Sequence, residues 1–200
     1  MYLNNPEYVR TKNGKNYKIN TDFRVALKCN EVSMDASIGD LERTLAIVYL
    51  LFGDEGIDPK NRDDLGELVD LGYRYLTLDK EPTNRDEEPD MDFIKDKPYI
   101  RSSFIQDYKY NPYDMEYLHW WDFYNDLNNL SNSEFGNCCV LNRIRNARNY
   151  DPSKIEDRKE RENFLKFQES ISLNKKQEVE LTKEQEESMR KLDEIIGFKK

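Results

Sequence analysis

The sequence predicts a mainly α-helical protein: a helical bundle with a small β-hairpin at its N-terminus and a charged helical extension at its C-terminus. Apolar side chains recur every three or four residues through most of the chain, which is the spacing of one face of an α-helix. The dipeptide Asn13-Gly14 indicates a tight turn between Tyr8-Val9-Arg10 and Tyr17-Lys18-Ile19-Asn20. Residues 151–200 are rich in Lys, Glu, Arg and Gln, which are good helix formers.

Residues 1–78 are predicted to form the hairpin and a first group of three helices. Residues that favour helix ends bound these helices, such as Asp22 before the first and Gly53 after the second. The predicted helices run from Thr21 or Asp22 to about Val32, from Ser37 or Asp40 to Phe52, and from about Arg62 to Leu78. The second helix has two apolar faces, which predicts that it lies at the centre of the group.

Residues 79–97 are predicted to form an extended, solvated acidic linker. The stretch Asp79–Asp96 contains eight acidic and three basic residues, two prolines and few apolar groups. A segment of this composition buries too little apolar surface to offset the entropy lost on ordering. Its residues Asp90, Asp92 and Asp96 lack the glycine and the closing glutamate of a calcium loop, so we expect no metal site there.

Residues 98–150 are predicted to form a second helical group that is rich in aromatic side chains. The expected helices are at about Tyr99–Tyr108, from Pro112 or Tyr113 to Leu130, and from Ser131 or Ser133 to about Asn146. Within it, the stretch Tyr99–Leu130 holds both tryptophans, the only histidine and six of the 13 tyrosines. The stripe at helical spacing consists of Tyr113, Tyr117, Trp120 or Trp121, Tyr124 and Leu127. Such a stripe can serve as a core or as a docking surface, because Tyr and Trp bury a large apolar area and keep a polar tip.

Two sets of residues are candidates for contact with a partner. The first set, expected in the core or in the wall of a binding groove, is Tyr117, Trp120, Trp121, Phe123 and Tyr124. Adjacent tryptophans cannot face the same way on a helix, so we expect one in the core and the other toward a partner. The second set is Met189, Leu192 and Ile196, in a narrow stripe of the C-terminal extension that follows the capping-box sequence Thr182-Lys183-Glu184-Gln185. That stripe needs a partner, which is either the body of this protein or another chain.

The sequence contains no motif that predicts an enzyme. It has no glycine-rich phosphate loop, no GxSxG motif and no HExxH motif. We expect His119 to pack or to form hydrogen bonds within the aromatic region. Three cysteines without CxxC spacing favour free thiols over a disulfide framework or a zinc site. We therefore expect no catalytic residues, no metal and no cofactor.

Charge and hydropathy exclude further classes of partner. A net charge of −9 is unfavourable for binding nucleic acid or an anionic membrane surface. No apolar run approaches the roughly 18 residues of a membrane span, and residues 1–20 lack the apolar stretch of a secretion signal, so we expect a cytoplasmic protein. The one mildly basic region of the second half consists of Arg101, Arg143, Arg145 and Arg148, which we expect to form a surface face. Pairing with the acidic linker or with an acidic partner is the alternative.

Several motifs along the chain form one combined pattern. They are Ile19-Asn20-Thr21-Asp22-Phe23-Arg24, Asp90-x-Asp92-Phe93, Tyr99-Ile100-x-x-Ser103-Phe104-x-x-x-Tyr108, Leu118-His119-Trp120-Trp121-x-Phe123-x-x-x-Leu127-x-x-Leu130, Phe135 and Ile144-Arg145. The pattern covers about residues 17–173 and resembles that of a tailed-phage family known as gene product fifteen. The charged region Asp151–Leu173 resembles the closing helix of that family.

The resemblance implies a non-enzymatic protein that is encoded between the major tail protein and the tape measure protein of long-tailed phages. It implies a tail assembly chaperone of the host cytoplasm that binds the tape measure protein, with tail tube subunits as a second partner. Two alternatives remain open. One is a structural protein retained in the tail of the virion, and the other is a phage protein that binds a host factor as inhibitor or as trigger of host defence. The C-terminal stripe also leaves self-association open.

Overall fold

The predicted fold class is confirmed by a computed structural model, which describes residues 5–80, 90–133 and 138–173. The helices of these ranges are α1 (Phe23–Met34), α2 (Asp40–Ile57), α3 (Leu65–Leu76), α4 (Lys97–Tyr108), α5 (Trp120–Asn128), α6 (Val140–Asn149) and α7 (Arg158–Ile171). Short 3₁₀ helices lie at Pro59–Asp64, Pro112–Asp114 and Pro152–Lys154. No helix of the described ranges combines the length and the apolar character that crossing a bilayer requires.

The predicted N-terminal hairpin is present. Strands β1 (Tyr8–Arg10) and β2 (Asn16–Lys18) are antiparallel, and Val9 lies opposite Tyr17. The turn contains Gly14 at a φ of +90°, a conformation that glycine adopts without a steric penalty. Val9 and Tyr17 are both buried, so one face of the hairpin covers the helices.

The first group of helices follows the prediction with small shifts. Helix α1 begins after Asp22, whose carboxylate accepts a hydrogen bond of 2.8 Å from the backbone N–H of Arg24. In α2 the backbone leaves the helical conformation at Gly53 (φ 65°, ψ −158°), where the sequence predicts the end, and a further turn runs on to Ile57. Helix α3 starts a few residues later than predicted, because Pro59–Asp64 forms a 3₁₀ helix first.

The prediction of one long aromatic helix from Pro112 or Tyr113 to Leu130 is wrong. The chain forms a 3₁₀ turn, then an extended stretch, and only then α5. The extended stretch pairs with the start of α1: the N–H of Phe23 donates to Leu118 O at 2.9 Å, and the N–H of Trp120 donates to Thr21 O at 2.8 Å. These backbone hydrogen bonds replace those of a continuous helix, so tertiary pairing overrides the local periodicity.

The predicted start of the next helix at Ser131 or Ser133 is also wrong, because α6 begins at Val140. Cys139 precedes it as the capping residue, and its sulfur accepts a hydrogen bond of 3.4 Å from the N–H of Asn142. The N–H of Cys139 itself donates to Ser131 O at 2.9 Å, which places the start of α6 beside Ser131.

The expectation of a solvated linker is wrong for its second half, residues 90–96. Asp96 is fully buried, and its two carboxylate oxygens accept hydrogen bonds of 2.6 and 2.8 Å from Arg148. Arg148 also donates to Ile171 O at 2.7 Å, at the end of α7. Arg145 forms a 2.7 Å ion pair with a second carboxylate of the same segment. Arg145 and Arg148 therefore pair with the acidic segment, whereas Arg101 and Arg143 are exposed, as expected for a surface face.

One hydrophobic core is shared by the hairpin and by both predicted helical groups. A stack of three phenylalanines lies within it: the ring centroids of Phe23 and Phe123 are 4.5 Å apart, and those of Phe123 and Phe104 are 5.4 Å apart. All three rings are fully buried. The stack joins α1, α5 and α4, so the parts named from the sequence pack against each other.

Replacing Arg148 by Met should lower the free energy of unfolding by about 3–5 kcal/mol, because the carboxylate of Asp96 would stay buried without its partner. Arg143 is exposed on the same helix, and Arg143→Met should change the free energy by less than about 0.5 kcal/mol. Urea unfolding followed by circular dichroism measures both changes. Small and equal changes in the two variants would show that the buried pair does not hold the fold.

Candidate functional site

The start of α1 lies against the start of α5, with residues 21–23 beside residues 118–120. This junction positions the aromatic side chains of the candidate site. His119 caps α5, since its ring Nδ1 accepts a hydrogen bond of 3.0 Å from the N–H of Trp121. An imidazole that accepts at Nδ1 carries its proton on Nε2, which here lies 3.4 Å from Pro6 O. His119 is buried and has a positioning role.

The two tryptophans hold α5 against the end of α3. The indole N–H of Trp120 donates to Leu76 O at 3.1 Å, and that of Trp121 donates to Tyr75 O at 3.0 Å. Both acceptors are among the last carbonyls of a helix, which have no intrahelical partners. Trp120 is 4% exposed and packs edge-on against Phe93, whereas the half-buried Trp121 stacks on Tyr75 at a centroid distance of 6.1 Å. The adjacent indoles thus lie on two sides of the α3 end.

A groove with a volume of about 640 Å³ opens beside Trp120, between α1, α2 and α3. Its floor consists of buried side chains from the first two helices, and includes Ala26, Cys29, Val48 and Leu51. The exposed residues Asn30, Ser33 and Tyr73 form its rim. The floor is therefore apolar and the rim polar or amphipathic, which is the composition of a surface that binds another polypeptide.

Close packing of α3 on α2 shapes the groove. A Cβ atom at Gly72 would lie 3.0 Å from Cδ1 of Leu51, so glycine allows the two helices to approach here. The half-buried side chains of Ile47 and Val69 line the groove on these two helices. Along α2 the lining extends from Thr44 to Leu51, a length of about 10 Å at 1.5 Å per residue.

Aromatic side chains complete the lining where α3 ends. They are Phe93, Trp120 and Tyr124. The ammonium group of Lys80 lies 5.1 Å from the ring centroid of Tyr124, which places one cation at this part of the rim. Phe93 belongs to the segment that the Asp96–Arg148 pair holds against the body, so that buried pair also positions the groove.

The groove presents an apolar floor that contains one thiol. Burial raises the pKa of the Cys29 thiol in its floor to about 12, so this thiol stays protonated and unreactive at neutral pH. Among the residues that the structure describes, no group of three or more His, Cys, Asp and Glu side chains could hold a metal ion. A two-turn apolar floor matches the apolar face of an amphipathic helix, whose anchors recur at i, i+3 or i+4, and i+7.

The structure separates the aromatic residues that the sequence placed on one stripe. Trp120 and Tyr124 line the groove, and Trp121 faces the hairpin side. Phe123 is fully buried in the phenylalanine stack, so it has no surface to offer a partner. Tyr117 is 52% exposed and precedes α5 on the extended stretch, so it is not part of the predicted helical stripe. The second candidate set, Met189, Leu192 and Ile196, lies outside the described residues.

Sequence reasoning missed the groove residues of the first three helices. Ala26, Val48 and Val69 have the sequence pattern of ordinary core positions, and no motif singles out Tyr73. The one available signal was the second apolar face of α2, to which Ile47 belongs. That face predicted a central helix, and in the structure part of it stays uncovered in the groove.

The family model described as Bacteriophage Gp15 protein matches residues 7–173 of the chain. The chain belongs to this family. The resemblance inferred from the motifs is thus confirmed, and the protein is a bacteriophage protein. The matched range includes the hairpin, the junction of residues 21–23 with 118–120, both tryptophans and every residue that lines the groove. Comparisons with curated proteins and with solved structures give no match.

The raised pKa of Cys29 predicts a loss of stability in alkaline solution. An unfolded thiol ionises near about pH 8.5, while the folded thiol keeps its proton to about pH 12, so the unfolded state is favoured as pH rises between these values. We expect the free energy of unfolding to fall by about 1 kcal/mol from this group between pH 8.5 and 9.5. Urea unfolding of the wild type and of Cys29→Ala at both pH values measures it. If the free energy of unfolding of Cys29→Ala fell with pH as much as that of the wild type, the loss would not come from the Cys29 thiol.

Proposed function

We propose that this protein is a phage tail assembly chaperone, which binds amphipathic helical segments of the tape measure protein in the groove between α1, α2 and α3. The open apolar groove is the observation that carries the proposal. Membership of a bacteriophage family supports the phage setting. The surrounding host cytoplasm is the place where such binding is needed, before the tail is complete.

The groove offers the contacts that helix recognition requires. The apolar face of a bound helix packs between Ile47 and Val69, whose side chains are half-buried on the neighbouring helices. Tyr73 supplies an aromatic ring with a hydroxyl group at the rim, a side-chain type that often contributes strongly to binding energy. Recognition of this kind depends on the spacing of apolar anchors, so one groove can bind several segments of a long protein.

A covered apolar face protects a long helical protein from self-association. A tape measure protein exposes such faces until tail tube subunits polymerise around it, and large exposed apolar patches promote aggregation. The net charge of −9 favours solubility of the chaperone itself through self-repulsion. The major tail protein is the second proposed partner, since release of the tape measure has to accompany growth of the tube.

The proposal predicts that fragments of the tape measure protein encoded beside this gene bind the groove. Ile47→Asp places a charge on the groove lining and should weaken binding at least about thirtyfold, because a carboxylate facing an apolar helix loses its hydration. Ile105→Asp is the matched control, since Ile105 is 41% exposed on α4 and does not line the groove. Isothermal titration calorimetry with overlapping fragments measures the affinities.

Two outcomes of that experiment would contradict the proposal. One is a folded wild-type protein that binds no fragment. The other is an equal loss of affinity in Ile47→Asp and Ile105→Asp, which would place the contact outside the groove.

A chaperone should leave the particle after assembly. We expect mass spectrometry of purified virions to find this protein absent, or far below the copy number of the tail tube subunits. A stoichiometric amount in intact tails would contradict the chaperone function and favour the alternative of a structural virion protein.

A further inference from the structure

We propose that, in the free protein, the groove is occupied by the chain's own C-terminal segment 182–196, with Met189, Leu192 and Ile196 as anchors. The tape measure helix then binds by displacing this segment. The inference rests on the proposed function for the identity of the competitor, whereas the intramolecular contact itself does not depend on it.

The last described residues, 171–173, are held by side chains of α6 and of the segment 90–96. Ile171 is 7% exposed at the end of α7, and its carbonyl accepts a 2.7 Å hydrogen bond from Arg148. Two residues further on, the carbonyl of Leu173 accepts a 2.5 Å hydrogen bond from the ammonium group of Lys95. The end of α7 is therefore held against the segment 90–96.

That segment leads directly to the groove. Phe93 lines the groove and contacts Trp120, with 6.2 Å between the ring centroids. Lys95, which holds Leu173, is two residues from Phe93, a separation of at most about 7 Å along the backbone. Leu173 is therefore linked through Lys95 to the short segment that carries Phe93.

The length of the remaining chain is sufficient for the contact. Residues 174–181 can span up to about 26–29 Å when extended, at 3.3–3.6 Å per residue. A helix over residues 182–196 would be about 22 Å long, and the groove lining on α2 extends over about 10 Å. A spacer of this length can reach along the groove, and a helix of this length can place two turns in it.

The apolar pattern of the segment fits the groove. Met189, Leu192 and Ile196 follow at steps of three and four, so on a helix they form one stripe of about two turns. This stripe has the same length as the apolar floor between Thr44 and Leu51. The remaining residues of the segment are mainly charged, which suits the solvent-facing side of a docked helix.

A titration with a synthetic peptide tests the proposal on the full chain. The probe is the peptide of residues 182–196, and the variant carries Leu192→Asp together with Ile196→Asp, which should free the groove. A tethered segment acts at an effective concentration near millimolar, so it competes strongly with added peptide. We expect the peptide to bind the double variant at least about tenfold more tightly than it binds the wild type, as measured by isothermal titration calorimetry.

Matched controls assign the effect to the stripe and to the groove. A full chain with Val179→Asp and Leu181→Asp, which lie outside the stripe, should bind the peptide as weakly as the wild type. Adding Ile47→Asp to the double variant should abolish its gain in peptide affinity. A peptide that carries Leu192→Asp should not bind the double variant. Equal peptide affinity for the wild type and the double variant, or no binding to either, would overturn the proposal.

A crosslinking experiment identifies the chain that occupies the groove. With p-benzoylphenylalanine at position 192, we expect crosslinks within one chain to peptides from α1, α2 or α3. Crosslinks between two chains would overturn the proposal in favour of a second copy. Failure of the proposed function gives a different result, because tape measure fragments would then not bind while the peptide titration and the crosslinks stayed as described.

Discussion

The buried pair of Asp96 and Arg148 is the interaction on which the arrangement of the second half depends. Removing two charges from water costs several kcal/mol, which only a fully satisfied geometry offsets. Here the guanidinium group donates to both carboxylate oxygens and also to the carbonyls of Asp90 and Ile171. A single side chain thus joins the acidic segment, α6 and the end of α7. It also determines where Phe93 meets Trp120, and with that the shape of the groove.

The contact between the start of α1 and the start of α5 gives two of the family motifs a common structural role. Thr21-Asp22-Phe23-Arg24 and Leu118-His119-Trp120-Trp121 are far apart in the chain, yet their backbones are hydrogen-bonded to each other. Phe23 and Phe123, from the same two motifs, then stack in the core. The motifs therefore form one packing unit, which aligns the helices around the groove. Part of the pattern that identifies the family therefore has a structural explanation in this contact.

Local signals in the sequence predicted the elements better than they predicted the contacts. Asp22 as a cap, Asn13-Gly14 as a turn and Gly53 as a break all act over a few residues, so each could be recognised from its neighbours. The composition around Asp96 indicated solvation, because composition does not show that an arginine 52 residues further on completes the pair. Periodicity likewise extended the aromatic helix through Leu118, where backbone pairing with α1 is more favourable.

The groove could not be derived from any single helix. An apolar face has the same sequence pattern whether a neighbouring element covers it or leaves it open, and only the packing of three helices decides which occurs. Trp120 and Tyr124 were among the candidate residues because large aromatic side chains suit both a core and a binding surface. Val69 and Tyr73 were missed because the packing of α3 against its neighbours places them in the groove lining, and the sequence of α3 alone does not show that packing.

The positions of the tryptophans have a spectroscopic consequence. The chain contains two tryptophans, and both indoles donate hydrogen bonds to carbonyls at the end of α3. Indole emission responds to the polarity and the hydrogen bonding of its immediate surroundings. The tryptophan fluorescence of this protein therefore originates beside the end of α3, and one of the two tryptophans, Trp120, lines the groove itself. Tryptophan fluorescence is therefore an intrinsic probe of the candidate binding groove.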